Sequence, residues 1–306
     1  HKIIKIWFYF TKQGSAVQFH NLATLILKLP ISIIFHCYFP KIRYNFMISE
    51  SNIQKVNTKC EVKILNLLET CRQLISTARR NLQPGHPLGA RMISFEYSKS
   101  AKEIKTYPLL SSQRIFFLCW DFCGRNQLRA AMYPAPDRFC CCFTFEDGVK
   151  TQLHTHDYIE LGYVVKGNFK QKISGKDIIF QEGDVCLIDK NCIHQDYLSC
   201  QDSIVLFFGI ENSMFEEVMN EHITTGKIIS FLQTALMKQS DLQQYIHFHP
   251  TRDARKEIEP CLSLLLTELY ENKIGSTHIC RGLLLRIFRI LSTHYDFSLT
   301  RERQKN

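Results

Sequence analysis

Two histidines one residue apart, His154-Thr155-His156, a carboxylate four residues further on at Glu160, and a third histidine at His194 are the side chains in this sequence best suited to chemistry. Side chains alternate along an extended chain, so a strand from Leu153 to Val165 puts His154, His156 and Glu160 on one face. His194 follows Glu160 by 34 residues, and a later strand of a folded-over sheet can bring it to the same space. Three imidazoles and a carboxylate can hold Zn²⁺, Mn²⁺ or Fe²⁺ and leave coordination positions open. The same four groups can instead hydrogen-bond a polar small molecule, or one another. A second pair, His247-Phe248-His249, precedes Pro250 and reads as a solvated loop.

These residues need strands to align them, and the pattern after Gln113 supplies them. Short apolar runs (RIFFLCW, LRAAM, RFCCCFTF, DYIELGYVV, NFKQKI, DIIF, DVCLI, SIVLFFGI) are separated by turn residues, with Gly148, Gly167, Gly175 and Gly183 among them. Many short strands at this spacing predict an antiparallel sandwich or barrel over residues 113–211. Helical periodicity lies on either side. From Cys60 to Leu82 the positions Ile64, Leu67, Leu68, Cys71, Leu74, Ile75 and Ala78 share one face, and QPGHPLG ends the helix, so residues 47–112 read as a helical arm. From 212 to 300 two apolar stripes recur: Ile258, Leu262, Leu265, Leu266, Leu269 and Tyr270, then Ile279, Leu283, Ile287, Ile290 and Leu291. Apolar helix faces left over beside a complete barrel need a cover, so Leu262, Leu266, Leu269, Leu283, Ile287 and Ile290 are expected to pair two copies as a homodimer.

The chain has 306 residues and a net charge of +9, which suggests a nucleic-acid partner. Residues 1–46, however, hold six of the 38 Lys and Arg and no Asp or Glu, leaving 32 basic against 29 acidic groups elsewhere. That balance gives no basic footprint for a phosphate backbone beyond the leader. Thirteen cysteines without a Cys-x-x-Cys pair fit a reducing compartment, so a cytoplasmic location is expected, with Cys140-Cys141-Cys142 as packing residues. The stretch 22–39 approaches membrane-spanning length, but Lys28 and Pro30 fall in its middle, and no membrane partner is expected. Residues 1–46 read as a leader, with Met47 as the expected native start.

Gly148, five residues, His154-x-His156, three residues, Glu160, six residues and Gly167 match the first cupin motif at each specified position. The second cupin motif is partly kept, with Gly183 and His194 in place, Asp189 where Pro is usual, Asn191 where Gly is usual, and Leu198 where the motif ends in Asn. Over about 60 residues from His154 to His194 and its surroundings, the chain resembles the sensor domain of AraC-family transcription regulators. That resemblance implies an α+β fold: a cupin-type antiparallel jelly-roll barrel, preceded by the helical arm and followed by the helical dimerisation segment. It also implies a small-molecule effector, such as a sugar, bound at His154, His156, Glu160 and His194. DNA would be reached only through helix-turn-helix units beyond the polar stub 301–306. On this reading the chain is a regulator without catalysis of its own and without an obligatory cofactor, although a divalent metal at the same four residues is open. The rival reading is a metal-dependent cupin enzyme, an isomerase or dioxygenase, using those four residues.

Overall fold

The run SIVLFFGI lacks the alternation of a half-exposed strand, because both of its faces are covered, and all eight residues are buried. It lies in the larger of two sheets. In spatial order that sheet comprises β13 (Tyr295–Arg303), β12 (Leu242–Pro250), β9 (Val185–Ile188), β6 (Ile159–Lys166), β11 (Ser203–Ile210), β2 (Ile115–Phe122), β3 (Gln127–Tyr133) and β4 (Cys140–Thr144). The smaller sheet runs β1 (Lys105–Tyr107), β5 (His154–His156), β10 (His194–Asp196), β7 (Asn168–Ile173) and β8 (Lys176–Gln181). The helices are α1 (Leu67–Arg80), α2 (Asn212–Asn220), α3 (Ala254–Glu271) and α4 (Ser276–His294). This computed structural model describes residues 66–80, 104–109, 114–124, 126–134, 140–146, 148–198, 201–220 and 242–303, which lie within one compact unit, residues 63–306. The leader 1–46, the first turns of the expected arm and the stretch 22–39 lie outside the described residues.

The larger sheet separates two cores by strand alternation. Trp120, Val164, Cys186, Val205, Phe207 and Tyr245 meet Phe169, Ile173 and Phe180 of the smaller sheet. The residues between them, Cys119, Tyr163, Val165, Leu187, Leu206 and Phe208, meet the helices on the opposite face. Leu67, Cys71, Leu74 and Ile75 of α1 join that second core, and the Asn66 side chain accepts the Glu69 N–H at 2.8 Å to cap the helix start.

Five expectations need correction. The jelly-roll barrel does not form: among the described residues each sheet has a linear strand order that does not close, ending at β1 and β8 in one and at β13 and β4 in the other. Nor is the arrangement wholly antiparallel, since β1 pairs with β5 in parallel register. The helical period expected over 212–300 is broken by β12 and β13, which pair with each other along their full length and extend the sheet beyond β9. His247 and His249 therefore sit on a strand and not in a loop. Arg301–Arg303, expected as a linker stub, are the last residues of β13. The structure is an α+β fold of two open sheets, the larger antiparallel and the smaller mixed, with a C-terminal helical pair.

Two glycines are required by contacts at strand ends. Gly167 turns β6 into β7 at φ +77°, and a Cβ there would lie 2.7 Å from the Asp202 carbonyl oxygen. Gly209 lies under the Phe116 ring, and an added Cβ would approach Phe116 Cε1 to 2.1 Å.

Candidate metal centre

Backbone pairing brings the three imidazoles together. His154 and His156 alternate on β5, and β10 lies beside it with His194 opposite His154. On the other side β1 pairs Lys105 with His154 and Tyr107 with His156, with the hydroxyls of Thr106 and Thr155 3.0 Å apart. Asn191 adopts φ +66°, a conformation Asn tolerates, and its N–H donates to the His156 carbonyl at 3.1 Å. Asp189 is buried, its carboxylate accepts from Gln244 Nε2 at 3.1 Å, and burial pushes it up to about 6.

The ring centroids are 5.0 Å apart for His154 and His156, 4.1 Å for His154 and His194, and 4.7 Å for His156 and His194. One nitrogen from each ring lies within 4.8 Å of the others, and all three residues are buried. Glu160 faces them from β6 of the larger sheet. Its Oε2 is 3.6 Å from His156 Nδ1, and its Oε1 is 3.8 Å from His194 Nε2, both too long for hydrogen bonds. His154 Nδ1 lies 2.7 Å from the Gln152 carbonyl and His194 Nδ1 2.9 Å from the Cys192 carbonyl, contacts that make Nδ1 the N–H in each neutral ring. His194 Nε2 is thereby left with a lone pair facing Glu160. That atom and His156 Nδ1 are buried without a hydrogen-bond partner among the described residues.

Burial dominates the electrostatics of this cluster. It lowers His154, against the pull of Asp196 and the Gln152 carbonyl. It holds His156 and His194 well below the ordinary imidazole value, and the neighbouring rings lower them further. It also raises Glu160 well above the ordinary carboxyl value, with Asp196 adding to the rise. Three neutral nitrogen donors and a carboxyl kept from ionising form a set that a divalent cation would complete, because the cation favours the carboxylate and occupies the unpaired nitrogens. By that criterion the residues fit a metal.

Two residues the sequence reading did not single out stand two positions beyond the histidines, Tyr158 in the bend after β5 and Asp196 on β10. Tyr158, two after His156, stacks on its ring at 4.4 Å and 9°. Asp196, two after His194, accepts from Gln171 Nε2 at 2.8 Å and is bonded to Thr151, whose hydroxyl also accepts the Asp196 N–H at 2.9 Å. Tyr107, whose ring meets His154 edge-on at 5.1 Å, carried no signal because its surroundings had no clear period.

Five of the six residues expected at a dimer interface are enclosed by the chain itself. Leu262, Leu266, Leu269, Ile287 and Ile290 are buried in the chain's own helix-side core, and Leu283 is partly buried against it. Ile279, from the same stripe, is exposed, because α4 turns Cys280, Leu284 and Phe288 inward instead.

The expectation of a chain without catalysis is corrected by the His154–His156–His194 cluster and a second cluster, Asp184, His247 and His249, each with donor atoms within 4.8 Å of one another. Imidazole and carboxylate donors gathered in this way, all buried in the first cluster, are what a metal-dependent active site is built from. The possibility of a divalent metal is met by the same geometry.

A family model described as Cupin domain matches residues 142–196, a segment holding all four of His154, His156, Glu160 and His194. No curated protein matches the chain. Among solved structures, the chain is similar to apo ToxT from Vibrio cholerae strain SCE256, at 10% identity over 59% of this chain and 56% of that one, TM-score 0.36. It is similar to a predicted oxalate decarboxylase from Thermotoga maritima, at 23% identity over 28% of this chain and 64% of that one, TM-score 0.20. It is also similar to an RmlC-like cupin from Shewanella frigidimarina NCIMB 400, at 17% identity over 30% of this chain and 81% of that one, TM-score 0.21. The chain thus spans little more than half the length of ToxT. No helix among the described residues is long and apolar enough to cross a membrane.

Proposed function

We propose that this chain is a metal-dependent cupin enzyme of the isomerase or dioxygenase class, acting on a small substrate with oxygen donors. The observation that carries the proposal is the pair of orphaned buried nitrogens, His156 Nδ1 and His194 Nε2, facing Glu160 across the intersheet space. His154, His156, His194 and Glu160 hold the ion. A divalent ion so held supplies Lewis-acid polarisation of a substrate oxygen and, where it is redox-active, access to dioxygen chemistry. The neutral imidazoles keep their lone pairs available near neutral pH because burial disfavours their protonation. Glu160 contributes the negative charge, and it can hold or release a proton beside two ring nitrogens. Tyr158, stacked on His156, covers one face of that ring, and Tyr107 packs edge-on against His154.

The test is metal analysis of the full chain together with assays for ketose–aldose exchange by NMR and for oxygen uptake. One Zn, Mn or Fe per chain, lost in both His156→Ala and His194→Ala along with any turnover, is expected. A chain that takes up no stoichiometric ion at the three imidazoles overturns the proposal.

A second reading is the effector-sensing portion of an AraC-type regulator, and one observation favours it. Tyr163, three residues after Glu160, donates its O–H to Glu259 of α3 at 3.0 Å, and Glu259 accepts from Arg255, which reaches Glu182 at 2.6 Å. A polar chain therefore links the strand bearing the site to the helical layer, and a ligand that shifts β6 would bias the helices. A small molecule that stabilises the chain without turnover, with the response lost in Tyr163→Phe, favours this reading. The homodimer, and DNA contacts through a domain beyond this chain, belong to this reading only.

A further inference from the structure

We propose that Asp184, His247 and His249 form a second divalent-metal site, separate from the centre at His154, His156 and His194, which takes an ion of the Zn²⁺ class and clamps β12 to the turn entering β9. His247 and His249 alternate on β12 and so project from the same face, with ring centroids 3.8 Å apart. Asp184 faces both of them from the turn between β8 and β9. Its Oδ2 is 2.8 Å from His247 Nε2 and its Oδ1 3.3 Å from His249 Nδ1, so each carboxylate oxygen already meets one imidazole. The Gln181 N–H donates to Oδ2 at 2.9 Å and the Phe180 ring packs edge-on against His247 at 4.5 Å, which fixes both groups.

Two imidazoles and one carboxylate on one side of an ion leave its other positions open, a donor set that suits Zn²⁺ and related ions. Access follows from burial: Asp184 and His247 are enclosed, whereas the His249 side chain is 53% exposed. Asp296, the exposed register partner of His249 on β13, lies on the same side of the sheet and adds a carboxylate at the rim. The two centres do not share residues. Asp184 precedes Ile188, the register partner of Glu160, by four residues, about 13 Å along an extended strand. An ion at Asp184 would tie together segments 63 residues apart in sequence and so hold the C-terminal strand pair to the sheet.

The experiment is a Zn²⁺ titration of the metal-free full chain, comparing wild type, His154→Gln/His194→Gln, and His249→Gln, with far-UV circular dichroism to verify folding. His249 is the position of choice because its exposure makes the substitution mild. Wild type is expected to bind two ions, the double variant to retain one, and His249→Gln to weaken that remaining ion at least tenfold while leaving the other. A double variant that binds no Zn²⁺, or one whose Zn²⁺ is indifferent to His249→Gln, overturns the inference. One ion in wild type that survives the double variant and is lost with His249→Gln supports the second site while removing the first. If His249→Gln unfolds the chain, Asp296→Asn and Co²⁺ absorption in the double variant decide: tetrahedral-range visible bands support the site, and their absence overturns it.

Discussion

Replacing Glu160 by Gln preserves the shape of the side chain and removes its ionisation, and its effect should have opposite sign without and with a metal. Burial holds Glu160 well above its ordinary value of 4.5, so the folded metal-free chain keeps a proton that the unfolded chain releases. Stability then falls as pH rises through about 4.5, by about 1.4 kcal/mol per unit once well above it, and stops falling above the folded value. Gln carries no such cost. The stability gained by Glu160→Gln in the metal-free chain should therefore grow by about 1 kcal/mol between pH 4.5 and 5.5, and by about 1.4 kcal/mol for each further unit below the folded value. With a urea m-value of about 2 kcal/mol/M, the first step moves the unfolding midpoint by about 0.5 M. In the metal-loaded chain the same change removes the carboxylate that faces His156 and His194 and should weaken the ion by at least about tenfold. Urea unfolding at three pH values with a chelator, and competitive metal titration without one, measure the two effects. A pH-independent difference in the metal-free chain, together with unchanged metal affinity, would refute the assignment of Glu160 as the buried carboxyl of the centre.

Two further substitutions test the packing. Leu266→Ala, at a position fully buried in the chain's own helix-side core, should destabilise the monomer by about 2–5 kcal/mol; a folded chain that changes only its oligomeric state in light scattering would return this residue to an interface. Gly209→Ala must displace the Phe116 ring, which packs edge-on against Tyr158 at 5.2 Å, and should cost about 1–3 kcal/mol in urea unfolding; stability equal to wild type would mean that the ring moves freely.

Local periodicity was enough to put His154 and His156 on one face, because alternation is a property of any extended chain and needs no partner, but the single strand expected from Leu153 to Val165 is broken by a bend at Asp157 and Tyr158, and Glu160 faces the imidazoles from the other sheet. It also marked Gly148, Gly167 and Gly183 as turn positions, and all three have positive φ. The apolar run at Ser203–Ile210 likewise announced a strand, and the structure shows that all eight of its residues are buried. Other features were decided by pairing between distant segments. His194 reaches the centre because β10 lies beside β5, and Asp184 reaches His247 across 63 residues. β12 and β13 extend the larger sheet beyond β9, and the same alternating pattern would serve a closed barrel or an open sandwich equally well. The leucine stripes show the limit from the other side: a 3.6-residue period specifies that a helix has an apolar face, but only the tertiary structure determines that Leu262, Leu266 and Leu269 meet this chain's own core, since the burial of an apolar face is nondirectional and accepts whatever apolar surface the fold brings to it.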